Sequence, residues 1–300
     1  MGTIVTIDVP AHAASLVADD ERQDLLDRAF GWFREIERVC TRFDPESELM
    51  QLTRMPGVPV VVSPLLFQVV RFALTVAEES GGAFDPTVGH RMEAAGFNRE
   101  HRSGRVVSTA MVAPGDVGYR DVQVDDASGS ITLLRPLVLD VGAVAKGMAI
   151  DVAARELAPL EHFAIDAGGD LYLAGRNADD APWSVGIRHP DRDDRLLESV
   201  RVSDQAVCTS GNYERRSVTG GIASHILDPR TGTAASRVVS ATVISPSAML
   251  ADALATASFV LGPVDGRHLL ETHGVHGVLF SAALERFATQ GFDSDGFYAS

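Results

Sequence analysis

The stretch SAMLADALATASFVLG, residues 247–262, decides how the rest of the chain is organised. Ser247 is a typical N-cap residue, the alanines, methionine and leucines after it favour a helix, and Gly262-Pro263 ends that helix. Asp252 and Thr256 stand four positions apart, so they share one helix face with about 5–6 Å between their Cβ atoms. The sequence therefore predicts a helix that carries one carboxylate and one hydroxyl among apolar neighbours.

An ionised carboxylate is costly to bury unless a cation meets it, and the neighbouring sequence offers no Lys or Arg. A hard divalent cation would resolve this conflict if the Asp252 carboxylate, the Thr256 hydroxyl and phosphate oxygens bound it. The alternative is that Asp252 lies at a solvated rim and that Thr256 hydrogen-bonds to its own helix. This stretch alone leaves both alternatives open.

Acidic residues outnumber basic residues by 41 to 26, which gives a formal net charge of −15. This charge repels nucleic acid and anionic membranes, and a site for a phosphorylated ligand would need a local lysine or a metal ion. No apolar run approaches the ~20 residues of a membrane span. The two cysteines, Cys40 and Cys208, form no zinc motif. Because the chain shows no export signal, we expect a cytoplasmic protein.

Helical and strand-like patterns alternate along the chain in short pieces without a fixed repeat. Helical spacing covers residues 19–39 and the stretch from Ser63 to Gly81, and residues 3–9 alternate as a strand does. Further strands are predicted at 121–124, 130–134, 137–140, 163–166, 183–187, 196–202, 205–208 and 238–244. The pattern predicts an α+β fold with mostly antiparallel sheets and flanking helices. We expect one domain over residues 1–300, with residues 97–118 as an exposed excursion.

The segment LVLDVGAVAKGMAID, residues 137–151, predicts a strand, a loop of small residues and a helix. The helix N-terminus favours an anion, Lys146 adds a positive charge there, and Asp140 is a hydrogen-bond acceptor for a ligand. The order of residues is not that of a Walker A loop. The alternative is a tight connection between strand and helix with a solvated Lys146.

Two further segments contain residues suited to catalysis or binding. In SHILDPRTG, residues 224–232, His225 is a candidate proton acceptor near neutral pH, although a structural histidine is the alternative. In GGAFDPTVG, residues 81–89, the glycines free backbone amides, and Phe84 either lies on a ligand ring or fills the core. The sequence lacks the motifs of Rossmann enzymes, α/β-hydrolases and zincins.

Taken in order, these motifs resemble those of the ApbE family, the FAD:protein FMN transferases. The resemblance runs from residue 1 to about Gly277, and it rests on Met1-Gly2-Thr3, TRFDPESEL, GGAFDPTVG, LDVGAVAKGMAID, DAGGDLYLAG, TSGNYERR, SHILDPRTG and ADALATA. It implies a compact, T-fold-related α+β architecture. It also implies a Mg²⁺-dependent enzyme that moves the FMN half of FAD onto a Thr or Ser hydroxyl of an acceptor flavoprotein and releases AMP.

The resemblance also assigns roles to individual residues. Asp252 and Thr256 match the family's magnesium ligands, Ala143 matches a position that lends its backbone carbonyl, and Met249 is expected at the edge of the metal. His225 matches a residue important for activity. The positions that match the family's FAD site are Met1, Phe43, Ala83, Phe84, Asp85, Asp140, Lys146, His225 and Ile226.

The sequence leaves two other functions open. A Mg²⁺-dependent FAD pyrophosphatase would use the same site with water in place of the acceptor hydroxyl, and it would produce FMN and AMP. A non-enzymatic FAD-binding protein would keep its FAD and release no AMP.

Overall fold

The computed structural model describes residues 2–14, 17–100, 104–109, 117–211 and 226–293. The helices in this part of the chain are α1 (Ala11–Ala14), α2 (Asp19–Cys40), α3 (Glu48–Thr53), α4 (Pro64–Glu79), α5 (Gly89–Ala94), α6 (Gly142–Glu156), α7 (Ala248–Leu261) and α8 (Pro263–Thr272). The strands are β1 (Val5–Asp8), β2 (Val60–Val61), β3 (Val122–Asp125), β4 (Ser130–Leu133), β5 (Phe163–Ala167), β6 (Asp170–Ala174), β7 (Trp183–His189), β8 (Arg192–Val202), β9 (Gln205–Gly211), β10 (Val238–Ser245), β11 (His276–Ser281) and β12 (Arg286–Ala288).

Within the described residues the strands form three antiparallel sheets. The largest has seven strands in the order β1-β5-β6-β9-β10-β11-β12, the second has the order β2-β4-β3, and β7 and β8 pair as a two-stranded sheet. Helices cover one face of the large sheet. The predicted α+β fold with mostly antiparallel sheets and flanking helices is therefore confirmed.

The large sheet is buried on both faces, and successive residues of its strands face opposite sides. In β9, Ala206 and Cys208 belong to the core shared with the helices, whereas Val207 belongs to a second core shared with β7 and β8. This alternation places α2, α6 and α7 on one side of the sheet and the β7–β8 pair on the other. Ser210, two residues after Cys208, thereby faces the helix side of the sheet and reaches the site described below.

Helix α7 is buried between α6, α8 and strands β9 and β10. The predicted cap is present, because the Ser247 hydroxyl accepts a hydrogen bond from the Leu250 amide. Gly262 ends the helix with φ of 90°, a conformation that favours glycine. The limits predicted for this helix are therefore confirmed.

The strand predicted at residues 137–140 is wrong. These residues lie outside any strand, although Leu137, Val138 and Leu139 are buried. The Val138 carbonyl accepts a hydrogen bond from the Gly89 amide at 3.1 Å, and the Asp140 amide donates to the Pro86 carbonyl at 2.7 Å. The backbone groups of this segment therefore pair with the 3-10 helix at Pro86–Val88 and with the first residue of α5 instead of a strand, which an apolar run in the sequence does not distinguish.

No helix in the described part of the chain is long and apolar enough to cross a membrane.

Candidate active site

A cleft of about 1370 Å³ opens between α2, α6, α7 and the loops around residues 83–85 and 226–229. It brings together ten residues that the sequence nominated, namely Phe43, Ala83, Phe84, Asp85, Asp140, Ala143, Lys146, Ile226, Asp252 and Thr256. Met249 is not among the described residues that line the cleft, and its place at the edge of a metal stays a prediction. Met1 and His225 lie outside the described residues.

A polar cluster that we call the Lys146 cluster lies at the cleft; Lys146, Ser210, Asp252 and Thr256 line the cleft, and Asp170 lies behind Lys146. The Lys146 ammonium contacts the carboxylate of Asp170, and it lies 3.4 Å from Oδ2 of Asp252. Both aspartates are buried, with 2% and 5% of their surface exposed. The Asp170 carboxylate also accepts a hydrogen bond from the Thr209 amide at 3.0 Å.

The Lys146 cluster corrects the sequence argument about Asp252. The neighbouring sequence holds no cation, but the fold brings Lys146 from α6 to the carboxylate on α7. Burial lowers the pKa of Lys146, and the charges of Asp170 and Asp252 raise it by more, so the pKa lies above its ordinary value. The ammonium therefore stays protonated and neutralises one of the two carboxylates.

The residues of the Lys146 cluster fit a hard divalent cation. Two carboxylates and one ammonium leave one net negative charge in a buried site. The Thr256 hydroxyl lies 3.2 Å from that of Ser210, and Ala143 lines the same cleft. No group of three His, Cys, Asp or Glu side chains forms a metal site in the described part of the chain. A cation bound here would thus depend on carboxylate, hydroxyl and carbonyl oxygens and on oxygens of a ligand, a set that suits Mg²⁺.

The position of Asp252 and Thr256 relative to Lys146 depends on a close contact between α6 and α7. A Cβ atom on Gly147 would lie 2.4 Å from Cα of Met249 and 2.6 Å from the carbonyl oxygen of Ala248, so only glycine permits this approach. One turn further along α6, the Asp151 carboxylate binds the N-terminus of α7. It accepts hydrogen bonds from the Ser247 hydroxyl at 2.7 Å, from the Ala248 amide at 2.6 Å and from the Met249 amide at 3.1 Å.

At the N-terminus of α6, Asp140 forms an ion pair with Arg42. Asp140 accepts a hydrogen bond from the Gly142 amide at 3.1 Å and another from Nε of Arg42 at 2.8 Å. The free amides of a helix N-terminus favour an anion, which the Asp140 carboxylate alone would repel. Arg42 compensates that carboxylate, so the end of α6 remains compatible with a phosphate.

The loop after α4 contributes an ordered wall to the cleft. Asp85 accepts hydrogen bonds from the Thr87 amide at 2.8 Å, from the Thr87 hydroxyl at 2.7 Å and from the Tyr119 amide at 3.0 Å. Burial raises the pKa of Asp85, although these hydrogen bonds oppose the shift. Phe84 lines the cleft and also packs in the main core. Both residues therefore shape the wall, whether or not they touch a ligand.

The charge of the cleft differs from that of the whole protein. Its lining carries as many basic as acidic side chains, namely Arg34, Arg38, Arg42, Arg99, Arg105 and Lys146 against Glu37, Asp44, Asp85, Glu100, Asp140 and Asp252. In a chain of net charge −15, this balance makes the cleft the more favourable place for a phosphorylated ligand.

Sequence reasoning missed four residues that the structure brings into or next to the site, namely Arg42, Asp151, Asp170 and Ser210. All four lie inside motifs that were identified, so their position in the motif was the available signal, and Ser210 is the second residue of TSGNYERR. Arg42 precedes Phe43, Asp170 follows the Gly168-Gly169 turn, and Asp151 ends the motif of Lys146. What the motifs did not reveal is which element each side chain would contact.

Comparison with known proteins identifies relatives over nearly the whole chain. The ApbE family model matches residues 1–280. An FAD:protein FMN transferase of Rhodobacter capsulatus is 33% identical over 91% of this chain, which spans only 53% of that relative's length. One of Vibrio cholerae is 31% identical over 92% of this chain and 83% of its own length.

Solved structures agree with these relatives. The ApbE protein of Thermotoga maritima superimposes with a TM-score of 0.81 at 28% identity, over 98% of this chain and 99% of that chain. The flavin transferase ApbE of Vibrio cholerae gives a TM-score of 0.81 at 27% identity, over 98% and 96% of the two chains. The chain therefore belongs to the ApbE family.

Proposed function

We propose that this protein is a Mg²⁺-dependent FAD:protein FMN transferase, which moves the FMN half of FAD onto a Thr or Ser hydroxyl of an acceptor flavoprotein and releases AMP. Its relatives carry the name of this activity. We further propose that residues 1–300 form one domain, with residues 97–118 as an exposed excursion.

The observation that carries the proposal is the Lys146 cluster beside the N-terminus of α6. A site for a pyrophosphate in a chain of net charge −15 needs positive charge close by, and α6 supplies both the amides of its N-terminus and Lys146. The cleft is larger than the ~300–1000 Å³ of an ordinary small-molecule site, so its volume leaves room for a dinucleotide and for the tip of an acceptor protein.

The proposed reaction is a phosphoryl transfer. The acceptor hydroxyl oxygen attacks the phosphorus of the FMN half, a new P–O bond forms, and the bond to the AMP phosphate breaks. Lys146 would offset the charge of the pyrophosphate, and the amides at the start of α6 would hold its oxygens. Asp252, Thr256 and the Ala143 carbonyl would hold Mg²⁺, which when bound supplies Lewis-acid activation of the phosphorus. We propose His225, outside the described residues, as acceptor of the hydroxyl proton.

The test is incubation with FAD and Mg²⁺, with and without a flavoprotein domain that offers a Thr or Ser acceptor. We expect covalently bound FMN on the acceptor and one AMP for each FMN transferred. Equal rates of free FMN and AMP release without an acceptor would indicate a pyrophosphatase instead. Retention of FAD without AMP release under either condition would indicate a binding protein.

A further inference from the structure

Arg42 is a buried cation in the wall of the cleft. It follows the last residues of α2, lines the cleft and exposes only 5% of its surface. Its Nε donates to Asp140, its Nη2 donates to the carbonyl oxygen of Phe97, and its guanidinium lies over the Phe43 ring at 4.3 Å. Arg42 thus joins three parts of the cleft wall.

The third nitrogen of the guanidinium has no such contact. Nη1 of Arg42 is buried and has no hydrogen-bond partner among the residues that the structure describes. Nearly all buried polar atoms in proteins are satisfied, because an unsatisfied donor keeps the full cost of its desolvation. Nη1 is almost fully covered, so an acceptor atom of a ligand reaches it only when the adjoining cleft wall shifts, while the hydrogen bonds of Nε and Nη2 hold the guanidinium in that wall.

The surroundings indicate which part of a ligand would reach this donor. The cleft lining includes Phe43, whose ring lies beside the Arg42 guanidinium, and also Phe84, Phe97, Val88 and Met92. Aromatic and aliphatic walls of this kind bind a flat ring, and a single fixed donor sets its orientation. The pyrophosphate, in contrast, would lie at Lys146 and the N-terminus of α6 in the proposed function.

We propose that Nη1 of Arg42 donates a hydrogen bond to an acceptor atom on a ring of the bound dinucleotide, and that Arg42 is therefore a determinant of ligand specificity. This inference rests on the proposed function, since it requires FAD in the cleft. The acceptor belongs either to the flavin or to the adenine, and the two sources share the same chemistry.

The experiment measures the affinity of wild type, Arg42→Lys and Arg42→Gln for FAD, riboflavin and AMP by calorimetry. Lysine keeps the positive charge that pairs with Asp140 but lacks the three nitrogen atoms of the planar guanidinium. We expect both substitutions to lower the affinity for FAD about 10- to 100-fold, which is the value of a hydrogen bond to a charged group. The loss should fall on only one of the two half-ligands. Arg71→Lys, at an exposed ion pair with Asp126 outside the cleft lining, is the matched control.

Two results would overturn the proposal. One is unchanged affinity in both Arg42 variants, and the other is an equal loss for riboflavin and AMP, which would indicate a loosened cleft wall. If neither variant folds, a wild-type structure with FAD decides, because a ring acceptor should lie within hydrogen-bond distance of Nη1. If wild type binds no FAD at all, the proposed function fails, whereas FAD binding without an Arg42 contact refutes this inference alone.

Discussion

Replacement of Gly147 by alanine tests how the two helices of the site are held together. The added methyl group would lie 2.4 Å from Cα of Met249 and 2.6 Å from the carbonyl oxygen of Ala248. Both are backbone atoms, so no flexible side chain gives way. To reach an ordinary contact of 3.4 Å, the start of α7 must move away from α6 by about 1 Å.

The displacement has two energetic consequences. Overpacking of this kind costs about 1–3 kcal/mol. The same shift would stretch the hydrogen bond from the Ala248 amide to Asp151 from 2.6 Å to about 3.6 Å, beyond useful length. Alanine is favoured over glycine in a helix by about 1 kcal/mol, which offsets only part of this loss. We expect a net loss of about 2–4 kcal/mol in the free energy of unfolding.

Urea unfolding measures the stability, and calorimetry measures FAD affinity in the presence of Mg²⁺. The matched control is Gly31→Ala within α2, where an added Cβ meets no atom within 4 Å. Because only helix propensity changes there, the control should be about 0.5–1 kcal/mol more stable than wild type. Gly147→Ala with wild-type stability and wild-type FAD affinity would refute the argument that this contact sets the site.

Three further substitutions test individual interactions. Asp151→Asn keeps one acceptor but turns an amide toward the N-terminus of α7, so urea unfolding should show a loss of about 2–3 kcal/mol and FAD affinity should fall. The control Ser63→Ala removes the cap of α4 and should cost about 1 kcal/mol without a change in FAD affinity. Equal FAD affinity in wild type and both variants would contradict a role of Asp151 in holding the site. Lys146→Met leaves two buried carboxylates without a counter-charge and should cost about 3–5 kcal/mol in the same assay, whereas a stable variant would mean that the pair is not buried as described. Burial raises the pKa of Asp85 in the folded state, so its contribution to stability is present below the unfolded pKa and is lost as the pH rises through the folded pKa. The stability of wild type relative to Asp85→Asn should therefore fall as the pH rises from about 4 toward neutrality. A stability difference independent of pH would rule out the raised pKa of Asp85.

Much of the fold was predictable because local signals and tertiary packing agree. The cap at Ser247, the glycine at 262 and the apolar run between them define α7 from sequence alone. The prediction of a strand at residues 137–140 was wrong because a buried apolar segment has the sequence pattern of a strand, whereas its backbone hydrogen bonds go to the helical residues Pro86 and Gly89. Helix α8 and strands β11 and β12 were not predicted from the sequence patterns.

The site was predictable to the extent that its residues lie in motifs. The motifs nominated Asp252, Thr256 and Lys146, and the structure brings all three to the lining of one cleft, whereas their roles stay predictions. They could not show that Lys146 neutralises Asp252, because that pair joins α6 and α7 across 106 positions of sequence. The same holds for Asp151, whose partners lie on a different helix. Long-range pairs of this kind depend on the packing of whole elements, which a single sequence does not reveal.

The central claim is that the Lys146 cluster holds a divalent ion together with the pyrophosphate of FAD. The most direct measurement is calorimetric titration of the wild-type protein with FAD, once in Mg²⁺ and once in excess EDTA, with Asp252→Ala measured beside it. We expect FAD binding that is at least about 10-fold tighter in Mg²⁺ than in EDTA, and we expect Asp252→Ala to lose this difference. Equal FAD affinity in Mg²⁺ and EDTA, or a difference that survives in Asp252→Ala, would contradict it.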